Sequence, residues 1–331
     1  MKLIAETAMH HDGDFNFYKK LVSSLVTDTE ADYIKLHVTI DANEYMSEDH
    51  PAYTWLQGRV FSEVEWNEIF NIVTAGNKKL MLLFNDCKAI EFGMKYNPEL
   101  VEIHSVCLND HVLLNKLNEK INSSTKIVLG VGGSTLYEIE GAMSILNTDN
   151  IVLMHGFQNF PTDFKDINFL KIQKLLQLYS NLSHGYADHT SWDHKDNVLI
   201  TMFGAALGMD YLEKHVTTNY GENRVDWQAA ISIEMFNDLS DKVKLLKACN
   251  GDGLLKLNPG EEAYSVFGAN KKAAILNKNI IASHELSIDD FSFKRTGQSS
   301  DLSQLDVLAK KGNKIKKDLM KGHCLLIEDF E

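Results

Sequence analysis

The sequence is poor in the residues that staple or anchor a chain. Four cysteines in 331 residues, Cys87, Cys107, Cys249 and Cys324, are too widely spaced for a disulfide framework or a thiolate metal knuckle. They read as reduced thiols, which makes a cytoplasmic protein the expectation. No apolar run reaches membrane-spanning length, and the opening MKLIAET meets an acidic residue too soon for a signal peptide. A basic block is also missing. The formal charge of -13 would repel nucleic acid phosphates and anionic lipid, so neither nucleic acid nor membrane is an expected partner. Small molecules and other proteins remain.

What is present is a repeating pattern. Eight short β-rich runs begin at residues 3 (LIAET), 33 (YIKLHV), 79 (KLMLLF), 101 (VEIHSV), 126 (KIVLGVG), 151 (IVLMHG), 184 (HGYADH) and 211 (YLEKHV). Between them lie stretches with apolar residues at helical spacing, among them 15–29, 63–75, 110–121, 135–146 and 169–178. Thr135 with Glu138 has the form of a helix entry. Eight such units in residues 1–250 predict a (β/α)8 TIM barrel, with a boundary or linker over 251–272 where Gly, Asn and Pro recur. Residues 273–331 read as a small β-rich module, inside which KNIIASHELSIDDF and KDLMKGHCLLIEDF look like two copies of one pattern.

In a barrel, polar residues at the C-terminal ends of the strands share one mouth. These would be Glu6, Lys35, Glu102, His104, Gln158, Asp188, His189, Glu213 and His215. His189 and His215 close adjacent strands, about 4.8 Å apart, and could converge on one divalent ion. Glu213 shares the face of His215 by the strand period of two. Glu6 is open to three readings: catalytic base, ligand contact, or ion-pair partner of Lys35. Asp188 could orient an imidazole or serve a turn, and Lys35 could hold an anion or neutralise the mouth. In HGFQNFPTDF, Gln158 and Phe160 are candidate substrate contacts on a loop wall.

Several motifs resemble the N-acetylneuraminate (sialic acid) synthase family, which includes the legionaminic and pseudaminic acid synthases. IAETAMHHDGD is similar to a motif of the form AEIGINHNGD, ADYIKLH to ADAVKFQ, GYADHT to GYSDHT, LEKHVT to LEKHFT, HGFQNFPTDFKDIN to HCTSNYPTPYEDVN, and FKRTG to VKRPG. The resemblance spans essentially the whole chain. It implies a barrel followed by a C-terminal antifreeze-like (SAF) domain in a domain-swapped homodimer. It also implies His189 and His215 as ligands of Mn2+ or Mg2+, Lys35 as a phosphate contact, Glu213 as a substrate contact and Glu6 as a group that moves a proton or positions water. Arg295 would reach the partner's active site. The implied reaction condenses phosphoenolpyruvate with an N-acylated hexosamine to a nine-carbon 2-keto sugar acid and phosphate.

Gln158 and Phe160 stand where the family has an asparagine and a tyrosine, and the other departures fall on one side of the implied site. The family lysine of strand four is Glu102 here, its glutamate is Cys107, and Ser105 remains. The hydroxyls of strand five give way to GVGG from Gly130, and a serine before the Asp-His pair becomes Ala187. A glutamate in place of a lysine turns attraction for phosphate into repulsion. Two alternatives follow: metal-dependent aldol, retro-aldol or other carbonyl chemistry without phosphoenolpyruvate, with Glu102 or His104 as an acid-base group, or a binding homologue without catalysis.

Overall fold

Strands that must bury both faces carry almost unbroken apolar sequence, as the runs at 79, 126 and 151 do, while those at 184 and 211 mix apolar residues with polar ones. In a computed structural model, which describes residues 1–331, the eight runs form β1 (Lys2–Glu6), β2 (Tyr33–Val38), β3 (Lys79–Phe84), β4 (Leu100–Ile103), β5 (Lys126–Gly130), β6 (Ile151–His155), β7 (Ser183–Asp188) and β8 (Tyr211–Thr217). Each pairs in parallel with the next, and β1 pairs with β8 from Lys2↔Tyr211 to Glu6↔His215, which closes the barrel. A two-residue strand, β9 (Ile231–Ser232), extends the pairing of β8.

The chain falls into two compact units, Met1–Gly251 and Asp252–Glu331. In the first, one side-chain set fills the barrel and another seals it against its helices. Ile4, Tyr33, Met81, Leu100, Val128 and Tyr211 belong to the inner plug, while Leu3, Ala5, Leu36, Leu82 and Leu212 belong to the outer layer. Helices at 15–28, 63–75, 111–120, 136–145 and 169–178 lie where apolar spacing placed them, within a residue at each end. Their entries carry side-chain caps, the one at Thr135 as the sequence suggests. Asp14 accepts from Phe17 N, and Thr135 forms a reciprocal capping box with Glu138. The run VEIHSV is strand only to Ile103, because His104 accepts from Val106 N and the chain tightens into a turn over Ser105–Cys107. No helix is long and apolar enough to cross a membrane.

Two histidines of the first unit are locked in neutral form. His11 packs against the rings of Tyr18 and Phe61 and accepts from Gly13 N. His155 Nε2 faces His184 Nδ1, whose ring donates from Nε2 to Tyr179 O. Burial depresses both His11 and His155 to about 3. Between that value and the ordinary range near 6.5, the unfolded chain binds protons that the folded chain refuses, so stability falls as pH falls through this window. Each should cost about 1.4 kcal/mol between about pH 7.5 and about pH 5.5. Urea titrations at the two pH values should show the midpoint falling, and His11→Phe should blunt the fall.

The second unit has one short antiparallel ladder, β10 (Ala273–Leu276) with β11 (Phe291–Lys294), and otherwise isolated bridges. Turns interrupt its runs too often for longer strands. The two similar segments occupy equivalent places 39 residues apart, since Asp290 binds Lys278 and His284 as Asp329 binds Lys317 and His323. Ile280 and Leu319 exchange backbone hydrogen bonds of 2.8 Å in both directions, as expected at a local two-fold axis.

Candidate metal and sugar site

The barrel mouth holds a cavity of about 260 Å³ lined by groups from seven of the eight strands and their loops. The strand period decides which side chains enter it. On β1 the inward set is Ile4 and Glu6, on β2 Tyr33, Lys35 and His37, on β4 Leu100 and Glu102, and on β8 Tyr211, Glu213 and His215. An apolar plug thus lies beneath a charged layer.

Within that layer Lys35 is the hub. Its Nζ lies 2.8 Å from Glu102 Oε2, 2.8 Å from Glu213 Oε1 and 3.2 Å from Glu6 Oε1, and all four residues are at most 3% exposed. Burial alone would strip the charge from Lys35, but Glu102, Glu213 and Glu6 together hold its pKa well above the ordinary range. Burial pushes Glu102 up and Glu213 further up, the latter reinforced by the charge of Glu6. For Glu6 burial acts in the same direction, yet Lys35 and His215 outweigh it and keep the carboxyl well below the carboxylate range. Glu6 is therefore the fixed anion of the group.

Glu6 also faces the imidazoles. His215 Nε2 is 3.0 Å from Glu6 Oε2, and the His189 and His215 rings stand perpendicular with centroids 4.8 Å apart. One donor atom from each of Glu6, His189 and His215 falls within 4.8 Å of the others. Burial, then the neighbouring His215, depresses His189 to about 3, so its imidazole is neutral and has a lone pair to give. His189 Nδ1 has no hydrogen-bond partner. Two imidazoles and a carboxylate form a donor set suited to a borderline divalent ion, and the orphaned buried nitrogen fits such an occupant.

Other residues marked in the sequence divide into three groups. His104, Ser105, Gln158 and Phe160 line the cavity with the charged layer; Gln158 donates to Asp226 at 2.9 Å, and Phe160 is largely exposed at the rim. Asp188 does not line it. One residue before inward-facing His189, its carboxylate points to the helix layer, 3.0 Å from Lys214 Nζ, and accepts from Thr190 and Thr201. Arg295, in the second unit, donates to Ala269 O. His37, passed over in the sequence, bonds through Nε2 to Glu6 Oε1. Its signal was available, because it lies two residues beyond Lys35 on the same strand face.

A closed parallel barrel with a histidine pair and a carboxylate at its C-terminal mouth belongs to the TIM-barrel class with a candidate metal centre. This chain belongs to the NeuB family, whose model matches residues 25–254. It is similar to an uncharacterised protein of Methanocaldococcus jannaschii, with 27% identity over 99% of this chain and 94% of that protein. It is also similar to the N,N'-diacetyllegionaminic acid synthase of Campylobacter jejuni, with 24% identity over 86% of this chain and 85% of the synthase. Among solved structures, a spore coat polysaccharide biosynthesis protein E from Chromobacterium violaceum shares the fold over the full length of both chains, with TM-score 0.81 and 18% identity. The family resemblance drawn from the motifs therefore holds.

Proposed function

We propose that this chain is a sialic-acid-synthase-like, divalent-metal-dependent enzyme that joins a three-carbon 2-keto acid unit to the aldehyde carbon of an open-chain N-acylated hexosamine. The product is a nine-carbon 2-keto sugar acid. The observation that carries the reading is the convergence of Glu6, His189 and His215 beside Lys35 at the barrel mouth.

Those three residues would hold the ion, and the imidazole pair favours Mn2+ over the harder, oxygen-seeking Mg2+. When bound, the ion polarises the aldehyde oxygen. Lys35 and Glu213, buried and paired, fix the position of the acid unit, and Glu213 or Glu102, whose pKa values burial raises, is the group suited to carrying a proton. His104, depressed to about 4 by burial and then by His37, stays a neutral acceptor at the rim. Gln158 and Phe160 wall the sugar side.

Residues 273–331 are, in this reading, an antifreeze-like domain, and the active form is a domain-swapped homodimer in which Arg295 of the partner subunit meets the sugar. Mixing inactive Arg295→Ala and His215→Ala chains should then restore part of the activity, since one site of a mixed dimer keeps both residues; no recovery would count against the swap. The function itself is tested by incubating the Mn2+-loaded protein with several N-acylated hexosamines and either phosphoenolpyruvate or pyruvate, and searching for the sugar acid by mass spectrometry. A product that disappears with chelator supports the proposal, and absence of product from every pair overturns it.

A further inference from the structure

We infer that the donor subsite around Lys35 is built for a three-carbon acid without phosphate, of the pyruvate class, and rejects a phosphorylated enol acid. The inference deepens the function proposed above and rests on it. Lys35 is the one lysine or arginine lining the cavity, and three carboxylates already surround its ammonium at 2.8, 2.8 and 3.2 Å. An ammonium has three hydrogens to give, so a further anion must displace a carboxylate and then lie beside it. A phosphate group brings roughly -1.5 to -2 charges at neutral pH, and in a buried site the repulsion between like charges is far stronger than in water.

Charge counting leads to the same result. With Glu6, Glu102 and Glu213 all ionised, three negative charges face the one positive charge of Lys35, and a divalent ion at the histidine pair would bring the sum to zero. A monocarboxylate adds one negative charge to such a site, whereas a carboxylate bearing a phosphate adds roughly two more.

The neutral walls give no compensation. Ser105 supplies the one hydroxyl in the lining. A Cβ on Gly130 would stand 2.8 Å from Ser105 N, and one on Gly132 would stand 1.8 Å from Gly156 O, so neither glycine can become a hydroxyl residue without backbone movement. Across the cavity Ala187 presents a methyl group. Within this lining a phosphate would find no second lysine or arginine and a single hydroxyl donor.

With pyruvate the step balances by itself. C3 of pyruvate gives up a proton, its electron pair forms the bond to the aldehyde carbon, and the aldehyde oxygen takes a proton. No water is consumed and no phosphate leaves. The same protein should cleave the nine-carbon product back to pyruvate and aldehyde.

Isothermal titration of the full-length, Mn2+-loaded protein with pyruvate, inorganic phosphate and phosphoenolpyruvate tests the subsite directly. Pyruvate should bind, inorganic phosphate should not, and phosphoenolpyruvate should bind no more tightly than pyruvate. Glu102→Gln, which keeps the shape, should raise phosphoenolpyruvate affinity about tenfold, and Glu102→Lys should raise it further, because each step removes repulsion at the same place. Circular dichroism identifies a variant that has not folded, and the glutamine variant then carries the test. Phosphoenolpyruvate binding at least about tenfold tighter than pyruvate, equal to about 1.4 kcal/mol, would overturn the inference, as would folded Glu102 variants with unchanged affinity. If the binding pattern holds but no donor yields sugar acid, the proposed function fails and the phosphate-free subsite stands. Sugar acid and phosphate formed from phosphoenolpyruvate, with pyruvate inert, would keep the function and sink the inference.

Discussion

His215→Ala should lose stoichiometric Mn2+ binding and reduce carbon–carbon bond formation on the order of a thousandfold, while the barrel stays folded. The side chain sits on the inner face of β8, in register with Glu6 on β1, so its loss removes one of three donors and leaves Glu6 bound to Lys35 and His37 alone. Polarisation of a carbonyl oxygen by a bound ion contributes several kcal/mol to the transition state, which corresponds to roughly three powers of ten in rate. His189→Ala should behave alike, and the double variant should be little worse than either, because the residues act as a unit. Elemental analysis of gel-filtered protein and a product assay are the readouts. Full metal content in both single variants would exclude the site.

Lys214→Met should be the most damaging single change outside the mouth, lowering stability by about 3–5 kcal/mol through an uncompensated buried charge. Lys214 and Asp188 have side chains at 0% exposure, with Nζ 3.0 Å from Oδ2. Thr190 and Thr201 also donate to the Asp188 carboxylate, which supports the charge but cannot neutralise it. Burial works against ionised Asp188, yet Lys214 and these hydrogen bonds prevail and hold its pKa below the ordinary value. Its stabilising contribution is thus complete above the unfolded pKa near 3.9 and is lost as pH falls through the lower folded value. Adding Asp188→Asn to Lys214→Met should recover a good part of the loss, since no charge is then stranded. Urea unfolding of the three variants decides this, and a Lys214→Met midpoint equal to the parent's would refute it.

The strand period made the barrel and much of its mouth legible. Glu6, Lys35, Glu102, Glu213 and His215 all point inward from runs that were readable as strands, and Phe15–Asp28, Glu63–Ala75 and Phe169–Leu178 had clear helical spacing. Helix Asn197–Ala206 escaped because NVLITMFGAA is apolar nearly all round, which erases the period. Asp188 was placed at the mouth by its position at a strand end. Alternation with His189 turns it outward instead, toward Lys214, whose partner lies 26 residues away and carries no local signal. The triple pairing of Lys35 was hidden for a related reason. Each of its three carboxylates comes from a different strand, so only the closed register brings them to one ammonium.

Closure of the barrel through β1 and β8 has a consequence for how the protein is made. Lys2 pairs with Tyr211, so β1 must wait for about 200 further residues, or at least ~10 s of translation, before its outer edge is covered. During that interval β1 has β2 on one side and an open hydrogen-bonding edge on the other. The newly made chain therefore presents a strand seeking a partner, and holding that edge away from other nascent chains is a task for chaperones until β8 arrives.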